Sequence, residues 1–290
     1  MCPNYLLNIC SYTTEIQTFF NSTFFTSIAG AFAGAYGAQV ISERGKLREE
    51  LLAELRNTNS AIMVAFGICN SLLSLKKQYV RELKENHDLH MKAFNEFSEK
   101  RKSKVIPDGV VLNYQLDFQT ISLQTLPVDI LQNIIFEKLS LNGRPLSLTT
   151  TLKQAITDLA ASMKLRNDLI DVFKKSNLTQ QDIAILYFGL PYDGGHVNND
   201  YPSSINAIYS QTNDGIIFSQ FLCDDLVTHG EGILKIFKKK FGKDAPNINK
   251  PDWLKAISGG LLPDDKSYDD WKSMFKERDI KKKKKTFFNF

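Results

Sequence analysis

The chain has 290 residues, of which 43% are hydrophobic and 23% are charged, and its formal net charge is +4. This length allows one membrane-proximal region and one domain with its own core, and the composition excludes a wholly disordered chain. The four cysteines show no CxxC spacing, which argues against a zinc module and against a disulfide-stapled secreted fold (Cys2, Cys10, Cys69 and Cys223).

The first predicted element is an uncharged helix near the N-terminus. No charged residue lies between Glu15 and Glu43, and residues 18–42 form an uninterrupted uncharged run. A helix needs roughly 20 apolar residues to cross a bilayer, so this run is long enough. No Lys or Arg precedes it, which argues against a cleaved signal peptide. We predict a membrane anchor preceded by an N-terminal tail at 1–17; a buried helix of a soluble domain is the alternative.

The distribution of basic residues predicts how the anchor is oriented. Residues 1–42 contain no Lys or Arg, whereas Arg44, Lys46 and Arg48 follow the anchor directly. Because positively charged loops remain in the cytoplasm, we expect the N-terminus outside the bacterial inner membrane and the bulk of the chain inside the cell.

Small residues recur at helical spacing within the anchor. Gly30 and Gly34 form a GxxxG pair that Ala38 extends, and Ala33 with Gly37 repeats the spacing on the neighbouring face. Small residues four positions apart let two helix backbones approach closely in a bilayer. The pattern therefore predicts a face for helix packing and a homo-oligomer, unless Ala and Gly are merely frequent in this segment.

A second uncharged stretch runs from Asn57 to Leu75, between Arg56 and Lys76. Its polar residues and one glycine fall close to one helical face: Asn59, Gly67, Asn70, Ser71 and Ser74. We call these residues the polar stripe. It either lines a water-filled path in a second membrane span or forms the wet side of a cytoplasmic helix. The basic segment between the two stretches argues mildly against a hairpin, and the sequence leaves one span and two spans both open.

After the second stretch, residues 76–104 are highly charged and predict a continuing helix or stalk. Pro107, Asp108 and Gly109 then form a turn signal. We therefore divide the chain into a transmembrane and stalk region at 18–104 and a cytoplasmic helical domain with a basic C-terminal tail at 105–290.

The predicted cytoplasmic domain is mostly α-helical with one or a few short strands. Residues 110–118 alternate between apolar and polar, as a half-buried strand does. A threonine run is expected to cap the clearest helix, and Thr179 with Asp182 predicts another helix start. A loop is predicted at 189–204 from its Gly, Pro, Asn and Asp content. The predicted helices are 127–139, 149–175, 182–188, 205–226 and 233–241.

No nucleotide-binding, hydrolase or zinc motif is present, so we expect neither an enzyme nor a cofactor or metal site. His87 and His90 flank Asp88 on a charged helix, where surface histidines are commoner than metal ligands. A second group near a predicted turn could hold a cation or could simply be polar residues at a helix end: Asp224, Asp225, His229 and Glu231.

The C-terminal tail combines charge with aromatic residues. Five lysines, Lys281, Lys282, Lys283, Lys284 and Lys285, carry most of the positive excess and are followed by three phenylalanines. A basic residue near an anionic leaflet contributes about 1 kcal/mol to binding, so the tail is either a lipid contact or a solvated extension.

The arrangement of these segments resembles the small two-span proteins encoded beside reverse transcriptases in retron anti-phage systems. The resemblance covers the first third of the chain, where residues 18–42 and Asn57–Leu75 correspond to the two membrane segments. It implies an effector of abortive infection that damages the inner membrane when a reverse transcriptase and its RNA–DNA product trigger it. The bilayer is then the direct target, with no cofactor.

Two other classes of function fit the sequence. The chain could be a membrane-tethered scaffold or receptor whose cytoplasmic helices bind a protein partner. It could also be a soluble helical interaction protein in which both apolar stretches are buried. Toxicity on overexpression favours the effector, membrane association without toxicity favours the tether, and recovery in the soluble fraction favours the soluble protein.

Overall fold

The structure is a computed structural model that describes residues 23–107, 109–110, 112–113, 116–175, 177–242 and 244–275. Its regular structure is almost entirely helical, which confirms the predicted mostly-α class. The chain divides into two compact units. Residues up to Ala53 with Lys235–Pro246 form the anchor unit, and Glu54–Leu234 with the residues from Asn247 onward form the helical unit. The helical unit includes residues on both sides of the domain boundary predicted at 105.

The elements follow one another along the chain with one π-helical turn, π1, between the first two α-helices. The α-helices are α1 (Thr23–Leu75), α2 (Arg81–Lys102), α3 (Val128–Glu137), α4 (Arg144–Lys175), α5 (Gln180–Phe188), α6 (Asp200–Phe241), α7 (Leu254–Ser258) and α8 (Asp269–Ser273). π1 is Lys76–Val80, the strands are β1 (Pro191–Tyr192) and β2 (His196–Val197), and the 3₁₀ turns are Asp193–Gly195 and Asp265–Tyr268.

The second uncharged stretch lies in the core of the helical unit. Nine of the 18 residues from Thr58 to Leu75 are buried. They pack against α6, which runs antiparallel to this part of α1. At one end of the contact a Cβ on Gly215 would lie 2.7 Å from Leu72 Cδ1, and at the other a Cβ on Gly230 would lie 3.1 Å from Thr58 Cγ2. The apolar side of this stretch is therefore covered by protein.

Length and composition alone do not decide whether α1 crosses a membrane. By length and composition, one helix of the described chain qualifies as a candidate membrane span, and half of its qualifying window is buried inside the structure.

Helix α4 begins five residues before the predicted start. The threonines that were expected to cap it lie inside its first turns, where Thr149 Oγ1 donates to the carbonyl of Pro145 at 2.8 Å and Thr151 Oγ1 to that of Ser147 at 2.9 Å. The prediction of a threonine cap is therefore wrong. Threonine satisfies its hydroxyl in a helix by this back-bonding, and a run of threonines does not mark a helix start by itself.

The start of α5 follows the sequence signal. Thr179 is the N-cap, its side chain accepts a hydrogen bond from the Asp182 amide, and the Asp182 carboxylate accepts one from the Thr179 amide at 2.9 Å. The helix ends at Gly189 in a left-handed conformation, φ 64°. The predicted capping pair is confirmed, and the helix begins two residues earlier than expected.

Residues 110–118 form no strand in the part of this stretch that the structure describes. No strand of the described chain lies beside this segment, and side chains of α4 bind the backbone of the residues that follow it. Arg166 Nη1 donates to the carbonyl of Gln119 at 2.7 Å, and Asn167 pairs with both backbone groups of Ile121. The alternation of apolar and polar residues therefore reflects an extended segment on the domain surface. The prediction of a β-strand was wrong.

The loop predicted at 189–204 is shorter and partly ordered as a hairpin. β1 and β2 pair antiparallel, with Pro191 opposite Val197. Helix α6 then begins at Asp200 and continues for 42 residues to Phe241, so the two helices predicted there are one. Gly230 and Gly232 lie inside this helix. A Cβ on Gly230 would lie 2.7 Å from Ile248 Cδ1 and 3.1 Å from Thr58 Cγ2, which accounts for a glycine at that position.

Candidate membrane anchor and basic collar

The first part of α1 exposes its large apolar side chains. Phe32 is 73% exposed, Tyr36 is 72% exposed and Ile41 is 74% exposed. Burying a large apolar side chain is worth about 1.5–3 kcal/mol, so leaving three of them in water is costly. An exposed apolar surface of this kind marks a contact with another protein or with lipid.

The predicted packing residues form an open face on the same helix. At 100° per residue, Gly30 and Gly34 lie on the side of the helix opposite Phe32 and Tyr36. A Cβ placed on Gly30, Gly34 or Gly37 would meet no atom within 4 Å. Ala33 and Ala38 are exposed as well. The structure thus brings the small residues together on a surface that no described residue covers.

A cluster of cations follows the uncharged run. Arg44 Nη2 donates to the carbonyl of Lys240 at 3.2 Å, which satisfies one of the free carbonyls at the end of α6. Its guanidinium carbon lies 5.7 Å from the centre of the Phe241 ring, and that of Arg48 lies 6.0 Å from the centre of the Phe237 ring. The two phenyl rings are themselves 5.4 Å apart.

These contacts place the lysines at the end of α6 beside the arginines of α1. We call the resulting group the basic collar: Arg44, Lys46, Arg48, Lys238, Lys239 and Lys240. All six side chains are exposed. The helix dipole also favours positive charge at a helix C-terminus, and this offsets part of the repulsion among the three lysines.

Sequence reasoning found the arginine half of the collar and missed the lysine half. The run KKK at 238–240 is visible in the sequence, but 190 residues separate it from Arg48 and nothing in the pattern pairs them. The basic C-terminal lysines that were predicted to contact lipid, Lys281–Lys285, lie outside the described residues.

The polar stripe of the second stretch lies on the solvent-facing side of the helical unit. Asn59 holds the segment that follows α6, since its Nδ2 donates to the carbonyl of Asn247 at 2.8 Å and its Oδ1 accepts from the Asn249 amide at 2.9 Å. Gly67 is exposed. The remaining three, Asn70, Ser71 and Ser74, line a polar groove.

The acidic group near residue 225 does not form one site. Asp225 pairs with Arg144, whose Nε lies 2.9 Å from Oδ2. His229 Nε2 lies 2.8 Å from Glu54 Oε1, and Glu231 pairs with Lys250 at 2.6 Å. Burial raises the pKa of the remaining carboxyl, Asp224. In the described chain no three His, Cys, Asp or Glu side chains are grouped as metal ligands.

His87 is a core residue. It is 3% exposed, and its ring centroid lies 5.5 Å from that of Tyr187 and 6.4 Å from that of Tyr201. Burial lowers the pKa of His87, an effect that Asp88 and the backbone of Tyr187 partly oppose. The expectation of a surface histidine was therefore wrong for His87; its helix faces the core here although its neighbours in sequence are charged.

Comparison with known proteins adds no relative. No protein-family model matches the chain. No match was found among curated proteins or among solved structures.

Proposed function

We propose that the protein is a membrane-tethered scaffold or receptor that crosses the bacterial inner membrane once, at residues 18–42, and presents its helical unit in the cytoplasm to a protein partner. The observation that carries the proposal is the contrast between exposed and buried apolar surface on α1. Phe32, Tyr36 and Ile41 have no cover in the described chain, whereas the second uncharged stretch is packed on α6.

The basic collar supports the orientation. It follows the uncharged run directly and adds three exposed lysines from α6 to the arginines that the positive-inside rule counts. Each cation close to an anionic leaflet contributes about 1 kcal/mol, so the collar favours the cytoplasmic face over the outer one.

A single span is tested by fractionation and protease protection. We expect full-length protein expressed in bacteria to remain in the membrane after a carbonate wash. A C-terminal tag is expected to resist protease added to intact spheroplasts. The variant Phe32→Asp with Ile41→Asp is expected to move to the soluble fraction, because charge within an inserted helix costs about 2.5–3.5 kcal/mol per residue.

The matched control places two aspartates on exposed positions of the helical unit, Leu89→Asp with Ile130→Asp. That protein is expected to remain in the membrane. Release of the unmodified protein by carbonate would contradict the anchor, and digestion of the tag in intact spheroplasts would contradict the orientation.

A second candidate function is the membrane effector, and the open small-residue face favours it. Nothing within 4 Å occupies the space beside Gly30, Gly34 or Gly37, so two copies can bring their helices together at this face. In this proposal an oligomer of anchors permeabilises the inner membrane when the helical unit is triggered. It uses one span per copy, and the polar stripe takes no part in conduction.

The effector is distinguished from the tether by toxicity. If anchors associate through the small residues, Gly34→Leu is expected to abolish killing and membrane depolarisation on induced expression. Ala35→Leu, which lies away from both small-residue faces, is expected to leave them intact. A protein that stays in the membrane without depolarising it is a tether.

A further inference from the structure

In the segment of residues 116–126, which we call the edge segment, side chains of α4 bind one backbone side at Gln119 and Ile121. Ile121 donates its N–H to Asn167 Oδ1 at 3.1 Å, and its carbonyl accepts from Asn167 Nδ2 at 2.7 Å. Both backbone groups of one residue point to the same side only when that residue is extended. The amide of Asn167 thus takes the place of a neighbouring strand.

The same geometry determines where the adjacent peptide groups point. No described peptide bond is cis, and in a trans peptide the carbonyl points opposite to the following N–H. The Thr120 carbonyl and the Ser122 N–H therefore point away from Asn167. The Thr120 N–H points away from Arg166, because the carbonyl of Gln119 is bound to that arginine at 2.7 Å.

These three groups form an open edge of β type. A donor and an acceptor on Thr120 face the same side, followed by a donor on Ser122, which is the arrangement that a further strand pairs with. Within the described chain they have no hydrogen-bond partner. A free edge of this kind is a template for pairing with another polypeptide.

The open edge lines a polar groove of about 410 Å³. Consecutive residues from 120 to 124 line it, as expected where backbone rather than a single row of side chains forms the wall. The opposite wall is one face of α1 and π1 and carries Asn70, Ser71, Ser74 and Gln78. Asn70, Ser71 and Ser74 belong to the polar stripe, and the proposed membrane span does not use them.

The lining of the groove itself contains no Asp, Glu, Lys, Arg or His. The cleft that adjoins it along residues 116–119 carries Glu82, Asp117 and His90. A phosphate-bearing ligand therefore finds no countercharge in the groove. Amide and hydroxyl side chains bind uncharged polar groups. The extended backbone of a bound peptide supplies hydrogen-bond partners for the unpaired backbone groups of residues 120 and 122. The π-helical turn in the wall adds to this argument, since such turns are frequent at functional sites.

We propose that this groove binds an extended, uncharged segment of a partner protein, which adds as a strand to residues 120–122 and places polar side chains against the wall of α1. The inference rests on the proposed tether, for which it supplies the surface that binds the partner. It concerns a site within the helical unit alone.

The test is a selection from a displayed library of random ten-residue peptides, offered to the full-length protein in detergent micelles, with empty micelles for counter-selection. We expect enriched peptides to be uncharged, and to lose binding when their alternate amides are N-methylated, because a strand donates through every second N–H.

Two pairs of variants place the selected peptides in the groove. Ser122→Pro removes the N–H that points away from Asn167, whereas Ser122→Ala keeps it; we expect the first to weaken binding about tenfold or more and the second to leave it unchanged. Ser74→Trp fills the groove from the opposite wall and is expected to have the larger effect, with Ser60→Trp, on an exposed site outside the groove, as its control.

Loss of binding with Ser122→Pro and with Ser74→Trp supports the proposal, and the tryptophan pair decides it if the proline variant does not fold. No enrichment over empty micelles, or equal binding by all four variants, overturns it. Crosslinks between copies through the groove would assign it to a second copy and overturn the partner as well. Membrane retention of Ser122→Pro after carbonate washing separates this result from a failure of the anchor.

Discussion

The two uncharged stretches both lack charged residues, and they have different surroundings in the part of α1 that the structure describes. Residues of the first that the structure describes expose Phe32, Tyr36 and Ile41, and its glycines have empty space beside them. In the second, Ile62, Ile68 and Leu72 are fully buried, and Leu72 lies close to Gly215 of α6. Hydropathy alone does not separate a lipid-facing helix from a protein-facing one. The difference lies in whether another part of the chain offers a complementary surface.

The largest expected effect comes from placing a carboxylate in each stretch. Ile68 is 0% exposed, so Ile68→Asp buries an unpaired charge, and we expect it to lower the free energy of unfolding of the helical unit by about 4 kcal/mol or more. Phe32→Asp, at a 73% exposed position, is expected to leave that free energy unchanged. Urea denaturation followed by circular dichroism in micelles measures both. Equal losses in the two variants would mean that the first stretch is also core.

A smaller effect is expected from adding one methyl group to a glycine. Gly215→Ala places a Cβ 2.7 Å from Leu72 Cδ1 in a packed core, and overpacking costs about 1–3 kcal/mol. Gly34→Ala adds the same atom where nothing lies within 4 Å, so we expect no loss of stability. Gly232→Ala is the control within α6 itself; it is exposed and is expected to gain up to about 1 kcal/mol from helix propensity. A Gly215→Ala protein as stable as the unmodified one would show that the Leu72 side chain rotates to make room for the methyl group.

The smallest expected effect is a loss of stability at low pH that is confined to the helical unit. Burial lowers the pKa of His87, so the unfolded state binds the proton more readily than the folded state does. Stability is therefore full above the unfolded pKa of about 6.5 and falls as the pH drops below it. We expect the melting temperature to decrease between pH 7 and pH 5, while carbonate-resistant membrane retention does not change.

The source of that response can be checked at the same position. His87→Phe keeps an aromatic ring against Tyr187 and removes the titrating group, so its melting temperature is expected to depend less on pH. His196→Gln, at an exposed site, is expected to behave like the unmodified protein. An unchanged pH profile in His87→Phe would assign the acid response to other groups.

Local signals in the sequence predicted local structure well. The pair Thr179 and Asp182 marked a helix start because the capping bonds span three residues and need nothing else from the fold. The helical class and the end of α4 at Lys175 likewise follow from spacing alone.

Features that depend on distant residues were beyond the sequence. Arg166 is fully buried beneath the edge segment and binds backbone carbonyls there, yet its position on an amphipathic helix gave no sign of this. Lys240 meets Arg44 through a contact between residues 196 positions apart. The groove escaped notice for the same reason, since one wall was visible as the polar stripe, whereas the other, at residues 120–124, was assigned to no predicted element.

The antiparallel contact between α1 and α6 also limits how the chain can change in length. Thr58 and Leu72 are 14 residues apart, and the glycines opposite them, Gly230 and Gly215, are 15 apart, so the two spans match at about 21 Å and 22 Å of helix. One residue inserted into either span rotates one contact by 100° relative to the other. The Gly215 contact does not readily absorb this, because even a Cβ added there would lie 2.7 Å from Leu72 Cδ1. We therefore expect insertions and deletions to be tolerated in the hairpin at 191–197. Between these paired positions they are expected to disrupt the packing of α1 against α6.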